Sequence, residues 1–230
     1  MSCLAIITAR GGSKRIPRKN IKVFCGKPII AYSIEATLKS GIFDEVMVST
    51  DDEEIASIAK KYGASVPFLR SEATANDFAT TVDVLKEVIC EYKARGKEFD
   101  SVCCIYPTAP FIKGEKLQAA YELFQKEKAD SLVPVVEFSF PPLRGFSITD
   151  GKVKYKWPEF EKARSQDLDK IYHDAGQFYI CSVKSLIDNN TLVSPNTVPF
   201  ILDELEVQDI DTEMDWKLAE LKYKLLEAEK

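Results

Sequence analysis

The sequence predicts an open, doubly wound α/β fold with a mostly parallel sheet and helices on both faces. Short apolar, β-branched runs alternate with amphipathic helical patterns through the first 136 residues. The runs lack an apolar–polar alternation, so their strands are covered on both faces. In order, strands are expected at 4–8, 45–49, 66–69, 102–106 and 131–136. Between them, Ile55, Ile58 and Tyr62 share a helical face, as do Val82, Leu85, Ile89 and Tyr92. Leu117, Ala120, Tyr121 and Phe124 repeat at the i, i+3, i+4, i+7 spacing.

Around Glu137 the pattern changes. Residues 138–162 are rich in Phe, Trp and Pro and show no helical period; two short strands around Thr149-Asp150-Gly151 are expected. Aromatics in an arm too small to own a core point to a subunit contact, against the alternative of a loop folded back on its own core. The expected division is therefore a core of 1–137 with 163–230, and a dimerisation arm of 138–162. Strands resume at 177–182 and near 198–202. A last helix carries Met214, Leu218, Leu221 and Leu225 as its expected core stripe, started by a Thr212/Asp215 capping box.

The chain has 230 residues, 45% of them hydrophobic, enough for a sizeable core. No apolar run reaches the roughly 18 residues of a membrane span, and the N-terminus lacks the basic region of a signal peptide. A net charge of −5 argues against a general nucleic-acid binder. A cytoplasmic protein is expected, acting neither on nucleic acid nor at a membrane. The six cysteines show no CxxC spacing and His173 is the only histidine, which leaves a Cys/His zinc site without a second imidazole.

The segment richest in chemistry is Ala9-Arg10-Gly11-Gly12-Ser13-Lys14-Arg15-Ile16-Pro17-Arg18-Lys19-Asn20. It follows the first strand directly, at the carboxyl edge where open α/β sheets bind ligands. Two glycines let backbone N–H groups approach an anion, and five of the twelve residues are cationic in an acidic chain. A bound polyphosphate would offset that repulsion; the competing reading is a solvated basic loop. In Gln208-Asp209-Ile210-Asp211-Thr212-Glu213, an extended backbone puts Asp209 and Asp211 on one side and Ile210 toward the core. Two such carboxylates plus phosphate oxygens suit Mg²⁺. Asp211 or Thr212 capping the final helix is the equal alternative. Asp51 or Asp52 is expected to cap the helix after the second strand.

The loop after strand one resembles that of the cytidylyltransferases that activate nine-carbon acidic sugars. Val48-Ser49-Thr50-Asp51, Pro107-Thr108-Ala109-Pro110 and the Asp209-Ile210-Asp211 motif match the family in order and spacing. Tyr106-Pro107-Thr108, Arg164-Ser165-Gln166 and His173-Asp174-Ala175-Gly176-Gln177-Phe178-Tyr179 are most similar to its pseudaminic acid branch. The resemblance implies a Rossmann-like core of the nucleotide-diphospho-sugar transferase type, a homodimer, and Mg²⁺-dependent transfer of CMP from CTP to the sugar. By motif match, Arg10, Gly12, Ser13, Lys14, Lys19, Asn20 and Arg70 would hold the nucleotide. Tyr106, Gln166, His173 and Tyr179 would face the sugar. Asp209 and Asp211 would hold the metal, with Lys19 and Asp211 carrying catalysis. No general base is evident; Asp211 or a metal-bound water could serve, with His173 as a third candidate. Sialic acid members usually carry Gln at the Tyr106 position and Arg-Pro-Asn-Gly at 173–176, so the departures fall where the sugar is expected. A different sugar nucleotidyltransferase and a non-enzymatic nucleotide-binding module are the competing functions.

Overall fold

A computed structural model describes residues 1–228. In chain order the elements are β1 (Cys3–Thr8), β2 (Val23–Phe24), β3 (Lys27–Pro28), α1 (Ile29–Ser40), β4 (Glu45–Ser49), α2 (Glu53–Lys61), α3 (Glu72–Ala75), α4 (Thr81–Ala94) and β5 (Ser101–Ile105). There follow α5 (Gly114–Lys126), β6 (Ser131–Glu137), β7 (Phe146–Thr149), β8 (Lys152–Tyr155), β9 (Tyr172–Asp174), β10 (Phe178–Ser182), α6 (Val183–Asn189), β11 (Thr197–Ile201) and α7 (Glu213–Ala228). The main sheet runs β11-β6-β10-β5-β1-β4, with β9 paired to β6. β11, β6, β5, β1 and β4 share a direction, whereas β10 and β9 run against it. The sheet is mixed and mostly parallel, as expected.

Both faces are covered. Cys3, Ala5 and Ile7 of β1 pack with Ile30 and Ile34 of α1, Ile55 of α2 and Leu117 and Phe124 of α5. Leu4 and Ile6 join Leu85, Val88 and Tyr92 of α4 and Leu186 of α6 on the other face. Helix starts carry the expected chemistry. The Asp52 carboxylate accepts from Ile55 N at the start of α2, Thr80 and Asp83 form a capping box on α4, and Thr212 and Asp215 form another on α7. A third apolar cluster joins parts distant in sequence: Ile16 of the basic loop, Phe24, Tyr32, Phe111, Ile210 and Trp216. That cluster holds the Asp209–Asp211 segment beside the loop.

Two expectations fail. No strand forms over 66–69; only Ser65 bridges Met47, and Pro67 has no N–H to give a ladder. The stripe Met214, Leu218, Leu221 and Leu225 is exposed rather than core. Instead Trp216 and Ala219 are buried, with Tyr223 and Leu226 packed beside them. Both sets repeat at helical spacing. The aromatic set wins because Phe24 meets Trp216 and Tyr223 edge-on, burying more apolar area.

Within 138–162, β7 and β8 form the hairpin expected around the Thr149–Gly151 turn. Phe146 pairs with Tyr155 and Ile148 with Val153, which puts all four on one face of the ribbon. Phe146, Ile148 and Val153 are nevertheless exposed. This apolar face has no core beneath it.

Candidate active site

The basic loop is shaped by bonds from outside it. Asn20 is buried and its amide donates to Arg10 O at 2.8 Å. Asp51 Oδ1 accepts from Gly11 N–H at 2.8 Å. Arg18, in the left-handed region at φ 55°, grips Asp52 through Nη1 at 2.5 Å and Nη2 at 3.0 Å. A Cβ on Gly11 would stand 2.8 Å from Asp52 Oδ2, whereas one on Gly12 would meet nothing within 4 Å. Gly11 is therefore required by the protein's own packing, and Gly12 borders open space where a ligand backbone contact fits. Hydrogen bonding to Arg18 holds the Asp52 carboxyl down at about 2.

Arg10, Ser13, Lys14, Arg15, Lys19 and Asn20 line a cavity of about 470 Å³ with Thr8, Asp77, Tyr106 and Thr108. Two carboxylates compensate its cations. Asp77 bridges Arg10 and Lys14, 2.5 Å from each, and Asp211 meets Arg15 at 2.8 Å and Lys19 at 3.5 Å. Lys19 Nζ also donates to Ile210 O at 2.6 Å, joining the loop to the carboxylate motif. Asp77 lay outside the sequence reading because its segment has no period and no motif of its own.

The other expected residues are placed less simply. Arg70 lines an adjoining cavity of about 250 Å³ that shares Thr8, Arg10 and Asp77 with the first. It is buried, and two of its guanidinium nitrogens are held by Ser49, Nε donating to Oγ at 3.0 Å and Nη2 to the carbonyl at 2.7 Å. Asn20 likewise spends its amide N–H on the loop rather than on the cavity. Tyr179 is buried and lines neither cavity; its ring packs edge-on against Tyr106 at 5.5 Å, so it backs the wall instead of forming it. Gln166 sits apart, in a pocket of about 140 Å³ between the start of the arm, at Phe138, Pro141 and Pro142, and the segment that follows it. His173 lines a further cavity of about 220 Å³ with Asp209, Phe138 and Lys222. Its Nδ1 lies 2.9 Å from the Asp174 carbonyl oxygen, to which it donates. Asp211 is already paired with two cations.

Asp209 and Asp211 flank buried Ile210 as expected. Desolvation, then the Asp211 charge, pushes the Asp209 carboxyl above the usual carboxylate range. A divalent cation would relieve that repulsion. Among the described residues no group of three or more His, Cys, Asp or Glu side chains could hold a metal. Two neighbouring carboxylates are the donor type that suits a hard cation completing its shell with phosphate and water oxygens.

A family model described as "Cytidylyltransferase" matches residues 4–204. A pseudaminic acid cytidylyltransferase of Campylobacter jejuni is 44% identical over 226 residues, 98% of this chain and 97% of that protein. A CMP-N,N'-diacetyllegionaminic acid synthase of Legionella pneumophila is 39% identical over 227 residues, covering 96% and 95%. Among solved structures, a CMP:2-keto-3-deoxy-manno-octonic acid synthetase complexed with CTP superposes with a TM-score of 0.71 at 17% identity, over 99% of this chain and 100% of that one. At that identity the likeness speaks for the fold.

Proposed function

The chain belongs to the cytidylyltransferase family, and on that premise we propose that it transfers CMP from CTP to the anomeric hydroxyl of pseudaminic acid, a nine-carbon acidic sugar, releasing pyrophosphate. The observation that carries this reading is the loop cavity, where Arg10, Ser13, Lys14 and Lys19 converge at the carboxyl edge of β1 with Asp211 tied to Lys19. The relative that is 44% identical over nearly the whole chain supports the choice of sugar.

In the reaction, the anomeric oxygen attacks the α-phosphorus in line. A P–O bond forms to the sugar as the bond to the β-phosphate oxygen breaks, pyrophosphate leaves with that electron pair, and the proton of the anomeric hydroxyl passes to water. Negative charge grows on the phosphoryl and leaving oxygens, and Lys14, Lys19 and Arg10, fixed before the substrate arrives, stabilise it. Asn20 and Asp51 hold the loop backbone in register. Tyr106 and Thr108 wall the cavity on the sugar side, and His173 and Gln166 border the space beyond. Asp209 and Asp211 would hold Mg²⁺, which when bound supplies Lewis-acid charge neutralisation at the phosphates.

The protein acts as a homodimer, with 138–162 serving as the arm that packs on the partner. The apolar face of β7–β8 supports this, since a two-stranded ribbon without a core is marginal alone. A CTP-consuming reaction of this kind belongs in the cytoplasm; among the described residues, no helix is long and apolar enough to cross a membrane.

Pyrophosphate release measured with CTP, Mg²⁺ and a panel of pseudaminic, N,N'-diacetyllegionaminic and N-acetylneuraminic acids tests the reading. Pseudaminic acid should give the highest kcat/KM. The 39% identity to the legionaminic acid synthase makes that sugar the second reading, and its preference in the panel would replace the first. Release with none of the three would overturn both.

A further inference from the structure

We propose that the outward stripe of α7, Met214, Leu218, Leu221 and Leu225, is the seat of the partner subunit's β7–β8 ribbon, so that each copy's arm covers the other copy's last helix. The inference rests on the arm assignment made above and names the surface that the arm occupies.

α7 is apolar on two sides. Trp216, Ala219, Tyr223 and Leu226 join Phe24 and Phe111 in the third apolar cluster. At about 100° per residue, the stripe falls on the side roughly opposite. It is not solvated by accident of one residue: Met214 is 72% exposed and Leu221 64%, with Leu218 and Leu225 between and beyond them also exposed. A surface helix of a globular protein ordinarily turns apolar residues to the core and charge to the other face. The second uncovered array is the ribbon face of Phe146, Ile148 and Val153. Both remain open within one chain, so a contact between them is made in trans.

The two faces match in scale. The stripe is about 16 Å long, and a four-residue ribbon about 13 Å. The stripe's spacing of four, three and four residues is also that of a coiled-coil seam, which makes a second α7 the rival occupant. Charge argues against it. Lys217 and Lys224 line one edge of the stripe; an antiparallel α7 pair sets Lys217 against Lys224, and a parallel pair sets Lys217 against Lys222. The ribbon avoids that repulsion, because Lys152 and Lys154 pair with Thr149 and Ser147 and project from its other face. Its turn carries Asp150, and neither Asp150, Lys217 nor Lys224 has an ion-pair partner among the described residues. A two-fold axis repeats the contact, arm on helix and helix under arm, and closes the assembly at two copies. Met214 stands three residues beyond Asp211, so the seated arm braces the start of α7 next to the carboxylate motif.

The test is cross-linking in the full chain with Cys90→Ser, which removes the exposed native thiol. Ile148→Cys and Leu221→Cys, both at exposed positions, are made singly and together and treated with a short bismaleimide. The paired variant should form a covalent dimer on denaturing electrophoresis about tenfold or more faster than either single one, as thiols held together in an interface do. Independently, Leu218→Asp with Leu221→Asp should scatter as a monomer with unchanged far-UV circular dichroism. A dimer from that variant, or a paired variant that links no faster than the single ones, overturns the inference. Ile148→Cys linking to itself puts arm on arm, and Leu221→Cys linking to itself puts α7 on α7; either result overturns it while the dimer stands. A monomeric wild type overturns the arm assignment as well. Cross-linking needs no turnover, so it succeeds or fails independently of the sugar panel.

Discussion

The basic loop and the β7–β8 hairpin both project from the sheet, and they treat their most conspicuous side chains in opposite ways. Arg10, Lys14, Arg15, Arg18 and Lys19 each have a carboxylate partner from another part of the same chain. Phe146, Ile148 and Val153 share one ribbon face with little protein against it. The loop's cations are satisfied within one chain, by Asp77, Asp211 and Asp52. The hairpin is incomplete, because apolar area repays the entropy of ordering only when something covers it. The contrast teaches that the loop's charges are satisfied within one chain, whereas the hairpin's apolar face is left uncovered by it.

The sharpest test of the loop's self-sufficiency is Asp211→Asn. It removes the partner of Arg15 and Lys19 and one of two candidate metal ligands, so turnover should fall about 100-fold or more, with far-UV circular dichroism unchanged. Chelation with EDTA should match that loss and added Mg²⁺ should reverse it. Activity near wild type would return Asp211 to a structural role near the α7 cap.

The hairpin is broken by placing charge on its apolar face. Ile148→Asp with Val153→Asp should give a monomer by light scattering, where wild type should scatter as a dimer at micromolar concentration. Sugar turnover should fall by about tenfold or more, as expected when a buried apolar anchor is lost, whereas CTP affinity should hold. A wild type that scatters as a monomer sinks the arm's assignment.

Within the loop, Lys19 and Arg18 separate chemistry from scaffolding. Lys19→Ala deletes a cation that reaches both Ile210 O and Asp211, and kcat/KM for CTP should drop roughly 10- to 100-fold. Arg18→Ala loses the Asp52 fork instead, so its melting temperature should fall while turnover changes by less than about threefold. Equal small losses at both positions would reduce the loop to a diffuse basic patch.

The smallest effect is an acid one. The Asp52 carboxyl is held at about 2 against an ordinary 3.8. A depressed carboxyl contributes stability that is fully present above 3.8 and is lost as pH falls through about 2. Thermal melts between about pH 4 and pH 2 should therefore slope less steeply for Asp52→Asn than for wild type, and parallel slopes would remove Arg18–Asp52 as a determinant.

The sequence by itself determined the two-sided sheet, the basic loop at the end of β1, the Asp209–Asp211 pair around a buried Ile210, the caps on α2 and α7, and the arm hairpin. Each is written in neighbours a few residues apart, where residue type and spacing dictate backbone geometry. Tertiary structure alone decided which stripe of α7 is core, because two stripes had helical spacing and only the position of Phe24 selects Trp216 and Tyr223. It also decided that 66–69 leaves the sheet after Ser65, that Asn20 and Arg70 spend donors on the scaffold, and that Asp77 and Asp174 face Lys14 and Tyr179. These contacts join segments that the chain brings together only by folding, and a hydrogen bond or ion pair across such a gap leaves no period or spacing to read.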